Sequence, residues 1–114
     1  MRELSAAAIE LIRQLVEDIV EGNFSSIELN GWIGRLTREE IVGAINEYGR
    51  TLVSVPDKML EDAEVYRSDH DQRQFAVDVP LWTREEGRSD LTLSLTVFDS
   101  NGEVSVSIDD LHVL

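Results

Sequence analysis

The side chains best suited to acid–base or metal chemistry in this chain are its two histidines, each of which lies beside carboxylates. One lies in the sequence Asp69-His70-Asp71, and the other ends the sequence Asp109-Asp110-Leu111-His112. A carboxylate beside an imidazole can relay a proton or help to bind a divalent ion. Neither spacing matches an established metal motif, and no GxSxG, HExxH or phosphate-binding glycine loop occurs. We therefore predict no catalytic residue, no metal site and no cofactor, and we expect a protein that is not an enzyme.

The carboxylates themselves are the dominant chemical feature. The 114 residues include 23 Asp and Glu against 10 Lys and Arg, which gives a formal net charge of −13, while 42% of the residues are hydrophobic. That hydrophobic content is enough for a folded core and excludes disorder as the reason for the acidity. Charge of this sign repels nucleic acid and anionic membrane surfaces, so we exclude both as partners. A basic protein is the expected partner.

Two acidic groups are candidates for binding that partner. The first lies between residues 57 and 71, and the second lies in residues 83–90, which we interpret as a long loop between two strands. Trp82 precedes the second group and is a candidate apolar anchor, since aromatic residues are enriched at interfaces. The predicted partner-binding residues are Glu61, Asp62, Glu64, Asp69, Asp71, Trp82, Glu85, Glu86 and Asp90. Which of the two groups binds stays open from the sequence.

Two helices are expected to come first in the chain. Apolar residues at helical spacing predict a helix over residues 3–21 that ends at Gly22. A capping box formed by Thr37 and Glu40 predicts the start of a second helix, which ends at Gly49. Between the helices we expect a loop or irregular extended segment whose apolar side chains pack against the core, namely Ile27, Leu29, Trp32 and Ile33.

The second half of the chain has the alternation that is typical of strands. Apolar and polar residues alternate over 73–82, 91–98 and 103–109, and residues 63–68 are a candidate short strand. The Asn101-Gly102 pair suits a type I′ hairpin that pairs Ser100 with Glu103, Val97 with Val106 and Leu95 with Ile108. The fold class that follows is α+β, with two N-terminal helices on one face of a three- to four-stranded antiparallel meander sheet in a single domain, 1–114.

Two further features of this sheet follow from its sequence. Pro80 cannot donate a ladder hydrogen bond, so we expect a bulge or an open edge there. The alternation also leaves a second sheet face with hydroxyls, carboxylates and two aromatic residues, which include Asp78, Trp82, Phe98 and Asp109. This face is either a recognition patch or an ordinary solvated surface, and both interpretations remain open.

Three segments resemble a family of small bacterial proteins. They are residues 81–93 (LWTREEGRSDLTL), 108–114 (IDDLHVL) and 47–52 (EYGRTL), and together the likeness extends over about half of the chain. Some members of that family resemble immunity proteins of bacterial toxin systems. The resemblance implies a single-domain protein without established catalytic residues, and it supplies no active site to transfer.

The leading hypothesis is an immunity protein that inhibits a basic, nuclease-type toxin by covering its active site. The alternative is a cystatin-like or NTF2-like small-molecule binding domain or enzyme, with a pocket lined by Trp32, Tyr66, Trp82 or His112. A third possibility is a structural subunit that dimerises along the 63–68 strand. The N-terminus does not read as a signal peptide and no apolar run spans a bilayer, so we expect a cytoplasmic protein of undetermined oligomeric state.

Overall fold

The computed structural model describes residues 4–61 and 63–114, with all their side chains except those of Met59 and Glu61. N-terminal helices precede an antiparallel sheet, so the predicted α+β class is confirmed. The elements in chain order are α1 (Ala6–Glu21), α2 (Phe24–Leu29), α3 (Arg38–Tyr48), β1 (Leu52–Val53), α4 (Asp57–Glu61), β2 (Glu64–Arg67), β3 (Gln74–Thr83), β4 (Gly87–Ser100) and β5 (Glu103–Val113).

The two predicted helices are α1 and α3, and their ends follow local chemistry. The Ser5 side chain accepts from the Ala8 N–H at the start of α1, and Gly22 ends that helix in the left-handed conformation. Thr37 and Glu40 form the predicted capping box at the start of α3. The short helices α2 and α4 were not predicted. Leu29, which we expected to pack against the core, ends α2 with 88% of its surface exposed, so that prediction is wrong.

The β4–β5 hairpin has the register that the sequence predicts. Ser100 pairs with Glu103, Val97 with Val106 and Leu95 with Ile108, and the two turn residues both have positive φ. The sheet is larger than expected, because β1 adds a fifth strand. The strands run in the order β1-β3-β4-β5, and β2 pairs with the same edge of β3 as β1 does.

Both features expected at Pro80, a bulge and an open edge, are confirmed. β2 pairs with Phe75 to Asp78, β1 pairs with Trp82 and Thr83, and α4 lies between these two short strands in the chain. Along β3, the backbone groups of every second residue point toward this edge. Those of Pro80 lie in the gap between the segments that pair with β2 and with β1. Since proline has no N–H, the gap leaves no donor unpaired at that position. The β3–β4 register also shifts between Pro80 and Trp82.

The opposite edge of the sheet, on β5, is partly covered by the chain that follows α2. Ile108 donates to the Trp32 carbonyl (2.9 Å) and accepts from the Arg35 N–H (2.9 Å). Gly34 allows this close approach, because a Cβ at that position would stand only 2.4 Å from the Ile108 carbonyl oxygen.

Two expected boundaries differ from the structure because of irregular strand pairing. The long loop predicted over residues 83–90 is wrong, since only Arg84 to Glu86 connect β3 to β4. The strand predicted to end at residue 109 continues to Val113, because Asp109 is an extra residue between the Leu95–Ile108 and Ser94–Asp110 pairs. Such a bulge shifts the alternation by one residue and hides the continued strand from a pattern of period two.

The core lies between the helices and one face of the sheet. Its fully buried members include Ile12, Leu15 and Ile19 of α1, Ile27 of α2, Ile41 of α3, and Val77, Val79, Leu81, Leu93, Leu95 and Ile108 of the sheet. The other face of β2 to β5 carries no helix among the described residues. No helix in that part of the chain has the length and apolarity needed to cross a membrane.

Candidate functional site

The two predicted acidic groups lie at opposite ends of β3. Asp69 and Asp71 are in the connection that enters the strand, whereas Glu85 and Glu86 are in the turn that leaves it. Ten residues of extended strand separate the two ends by about 30 Å. The two groups are therefore distinct surfaces.

The first group is only partly a cluster of free carboxylates. Glu64 is exposed on β2 and accepts from the Tyr66 hydroxyl, and Asp69 is exposed in the β2–β3 connection. Asp71 forms an ion pair with Arg73 (Nε–Oδ1 3.1 Å), whose hydrogen bonds hold the pKa of the Asp71 carboxyl below its ordinary value. Two other predicted members, Asp62 and the side chain of Glu61, lie outside the described residues.

In the second group, two carboxylates hold the β3–β4 turn against the end of α3. Glu85 accepts from the Thr51 N–H (2.8 Å) and from the Thr51 hydroxyl (2.9 Å). The hydrogen bond from the Thr51 backbone is the main reason that the pKa of Glu85 is lowered. Glu86 accepts from the Tyr48 hydroxyl (2.9 and 3.0 Å) and from the Thr83 hydroxyl (3.1 Å).

The hydroxyl of Tyr48 also joins the third predicted member of this group. This member is Asp90, which is exposed and whose backbone N–H donates to the Tyr48 hydroxyl (3.3 Å). Loss of hydration raises the pKa of Tyr48, and its hydrogen bond to Glu86 adds to that rise. The turn carboxylates therefore stabilise the fold through bonds within the chain.

Trp82, the predicted apolar anchor, is half-buried at the same end of the sheet as this turn. It pairs with Val53 on one side and with Arg88 on the other. Its ring lies against Gly87. The residue belongs to the open face of the sheet and lies far from Asp69 and Asp71.

The open face brings together a third set of carboxylates, which is not apparent along the chain. Glu64, Asp78, Ser94 and Asp110 are directly opposite one another on four successive strands, β2 to β5. The Ser94 hydroxyl donates to Asp78 (2.8 Å). We call Glu64, Asp78 and Asp110 the carboxylate row. Alternation along β3 predicts that Asp78 belongs to this face, but the row itself requires the register of three strand pairs.

A fourth carboxylate of the open face lies beside the row. Asp109, the bulged residue of β5, accepts from the hydroxyl of Thr96, which points to the same face. The basic residues of this face lie toward its ends. Arg88 is opposite Trp82 at one end, and the Arg73 guanidinium stacks over the Phe98 ring at 5.1 Å at the other. The centre of the face is therefore negatively charged.

The two histidines do not share a site. His112 lies on β5 with its Nδ1 3.0 Å from Asp110 Oδ2, whereas His70 is exposed in the β2–β3 connection. Across residues 4–61 and 63–114, no three histidine or carboxylate side chains are arranged to hold a metal ion. The His112–Asp110 contact adds an imidazole to one end of the carboxylate row.

The residues proposed for a small-molecule pocket line separate clefts. Trp32 borders a cleft of about 250 Å³ beside Leu11 and Val106, and His112 borders another of about 400 Å³ beside Tyr48 and Leu111. Neither cleft is lined by Tyr66 or Trp82. The clefts that Trp32 and His112 border are therefore separate.

The model of one protein family, described as a domain of unknown function (DUF7668), matches residues 16–114. The chain belongs to this family. The DUF7668 match contains all five strands and therefore the whole open face and both acidic groups. No curated protein and no solved structure matches the chain.

Proposed function

We propose that this DUF7668 protein is an acidic protein-binding module that uses the open face of its sheet to bind a basic partner. The observation that carries this proposal is the carboxylate row. Glu64 and Asp78 are directly opposed on neighbouring strands, and like charges in that position destabilise a sheet. A cationic partner surface would offset the repulsion, so the row is more favourable in a complex than in the free protein.

The open face suits the centre of an interface better than the β3–β4 turn does. Glu85 and Glu86 already accept hydrogen bonds from Thr51, Tyr48 and Thr83. The carboxylates of the row have fewer such bonds, and Tyr66 beside them is 54% exposed. An exposed tyrosine next to carboxylates that have no Lys or Arg partner in the described part of the chain combines an aromatic contact with electrostatic steering.

The more specific form of the proposal is an immunity protein that inhibits a nuclease-type toxin. A nuclease site holds phosphates and is cationic, so a carboxylate-bearing surface competes for it and covers it. The net charge of −13 favours fast, salt-sensitive association with such a site. This form of the proposal includes a binding rather than a catalytic role for the chain.

The test compares binding by two variants that lose the same charge. Glu64→Gln/Asp78→Asn/Asp110→Asn neutralises the carboxylate row and keeps its hydrogen-bond acceptors. Glu10→Gln/Glu39→Gln/Glu47→Gln neutralises three exposed helical carboxylates on the other layer. Each protein is immobilised and exposed to lysate of the source cells at low and high salt, and retained proteins are identified by mass spectrometry.

We expect the wild type and the helix variant to retain a basic protein that high salt removes, and the row variant to lose it at low salt. Purified, that protein should associate at least about tenfold more slowly with the row variant. Suppression of its nuclease activity by the wild-type chain would support the toxin-inhibitor form. Equal retention by both variants would overturn the assignment to the open face. An empty column at both salts would favour the small-molecule alternative.

A further inference from the structure

The hydrogen-bond pattern of β2 shows which of its backbone groups point away from the sheet. The Ser68 N–H donates to the Gln74 carbonyl (2.9 Å), and this pair continues the β2–β3 register. In an antiparallel ladder, hydrogen-bonded pairs alternate with pairs whose backbone N–H and C=O groups point away from the neighbouring strand. Tyr66 and Glu64 are therefore bonded to β3, and the N–H and C=O of Val65 and Arg67 point outward.

These outward groups form an open strand edge. Three of the four β2 residues are exposed, and Val65 is half-buried. No hydrogen bond from the described residues reaches the outward groups of Val65 and Arg67. Unpaired N–H and C=O groups in a row are a template on which another extended chain can pair.

The other long edge of the sheet, on β5, is partly closed by the chain itself. Ile108 is bonded to Trp32 and Arg35, and the Leu111 N–H donates to Asp110 Oδ1 (2.9 Å). The neighbouring stretch at Val104 and Val106 borders a cleft whose polar lining is neutral, with Gln14 and Asn30. Among the described residues, the β2 edge joins open backbone groups directly to Glu64, whereas at the β5 end of the carboxylate row the Leu111 N–H is already bonded to Asp110.

We propose that the basic partner adds a strand to β2, through the outward backbone groups of Val65 and Arg67. This inference rests on the proposed function and names how the partner docks. A strand added there places alternate side chains on the open face, directly beside Glu64. The partner segment is therefore extended, with Lys or Arg alternating with β-branched residues. The net charge of −13 opposes a second copy of this chain at the same edge.

The probe is a capped synthetic octapeptide of alternating lysine and threonine, titrated into the full-length, isotope-labelled chain. Backbone amide exchange is followed by NMR at millimolar peptide. We expect exchange of the Val65 and Arg67 amides to slow by about fivefold or more, because these N–H groups become hydrogen-bonded. The amides of Glu64 and Tyr66, which already bond to β3, should be unchanged. A peptide in which glutamate replaces lysine should not bind.

Two variants separate backbone pairing from simple charge attraction. Val65→Pro removes an outward N–H that takes no part in the β2–β3 ladder, and proline is tolerated on strand edges. It should weaken peptide binding by about tenfold, whereas Val65→Thr should bind as the wild type does. Glu64→Gln keeps the backbone edge and should weaken binding by about threefold. Unchanged amide shifts in β4 would show that each variant is folded.

The outcomes distinguish this inference from the proposed function. Binding that survives Val65→Pro, protection at Val104 and Val106 instead of β2, or no binding of the lysine peptide would each overturn strand addition at β2. The first of these results, combined with loss of the retained basic protein in the row variant, would leave the proposed function standing. If both the row variant and Val65→Pro retain the basic protein as the wild type does, strand addition and the proposed function are both overturned.

Discussion

The β3–β4 turn and the open sheet face carry the same kind of side chain in opposite situations. In the turn, Glu85 and Glu86 accept short hydrogen bonds from a backbone N–H and from hydroxyls of the chain. On the face, Glu64 and Asp78 oppose each other across neighbouring strands. Carboxylates bonded to several donors stabilise a fold, whereas Glu64 and Asp78 have one hydroxyl donor each, from Tyr66 and Ser94, and repel each other.

This difference gives a physical way to separate structural from binding acidity in a strongly acidic protein. A carboxylate that serves the fold should lower stability when it is removed. Removal of a carboxylate kept for a partner should leave the stability of the free protein unchanged or raise it, since the stabilising contacts of that carboxylate are made only in the complex. The sign of the stability change is therefore more informative than the number of acidic residues in a segment.

The largest effect is expected in the turn. Glu85→Ala/Glu86→Ala removes the hydrogen bonds that tie the turn to Thr51, Tyr48 and Thr83, so Tm should fall by about 5 °C. The measurement is thermal unfolding by circular dichroism at neutral pH. The matched variant Glu10→Ala/Glu47→Ala loses the same charge from exposed helical positions and should change Tm by about 1 °C or less. Equal Tm losses in the two variants would show that the hydrogen bonds of Glu85 and Glu86 do not stabilise the fold.

The sequence predicted the fold best where local chemistry and hydrophobic pattern agree. The Asn101-Gly102 turn set the β4–β5 register, and the capping box at Thr37 set the start of α3. The failures lie where regular spacing breaks. Helix α2 has six residues, too few for a helical period to be recognised. The bulge at Asp109 reversed the alternation and hid the end of β5.

The candidate site was predicted less completely, because it is assembled across strands. From the sequence, acidic groups were identified by their density along the chain. That criterion included Glu85 and Glu86, which hold the β3–β4 turn. The carboxylate row joins Glu64 to Asp110, which are distant in sequence, and it becomes visible only through three strand registers. Two of those registers contain a shift, one between Pro80 and Trp82 and one at Asp109, and the sequence predicted only the first.

An intermediate effect is expected in the pH dependence of stability, through Glu85. Because the Thr51 N–H holds the pKa of the Glu85 carboxyl below its ordinary value, the charged form is favoured in the folded state. This contribution is present above the unfolded-state pKa of about 4.3 and is lost as pH falls through the lower folded-state pKa. Glu85→Gln keeps an acceptor for Thr51 but has no charge to titrate.

Thermal unfolding at several pH values checks this expectation. The wild type should exceed Glu85→Gln in Tm at pH 7, and the difference should shrink as the pH is lowered below the unfolded-state pKa of about 4.3. Glu47→Gln, which removes an exposed carboxylate of α3, is the matched control and should follow the wild type. A difference that persists at acid pH would mean that the Glu85 charge does not contribute.

The smallest effect is expected on the open face, and its sign is the opposite. Asp78→Asn keeps an acceptor for the Ser94 hydroxyl and removes the repulsion with Glu64, so Tm should rise by about 1 °C at low salt. The rise should shrink at 1 M salt, where exposed charges are screened. Asp69→Asn removes the same charge from the exposed β2–β3 connection and should give a smaller rise. A fall in Tm for Asp78→Asn would instead make this carboxylate a structural one, and the carboxylate row would then stabilise the free protein as the turn does.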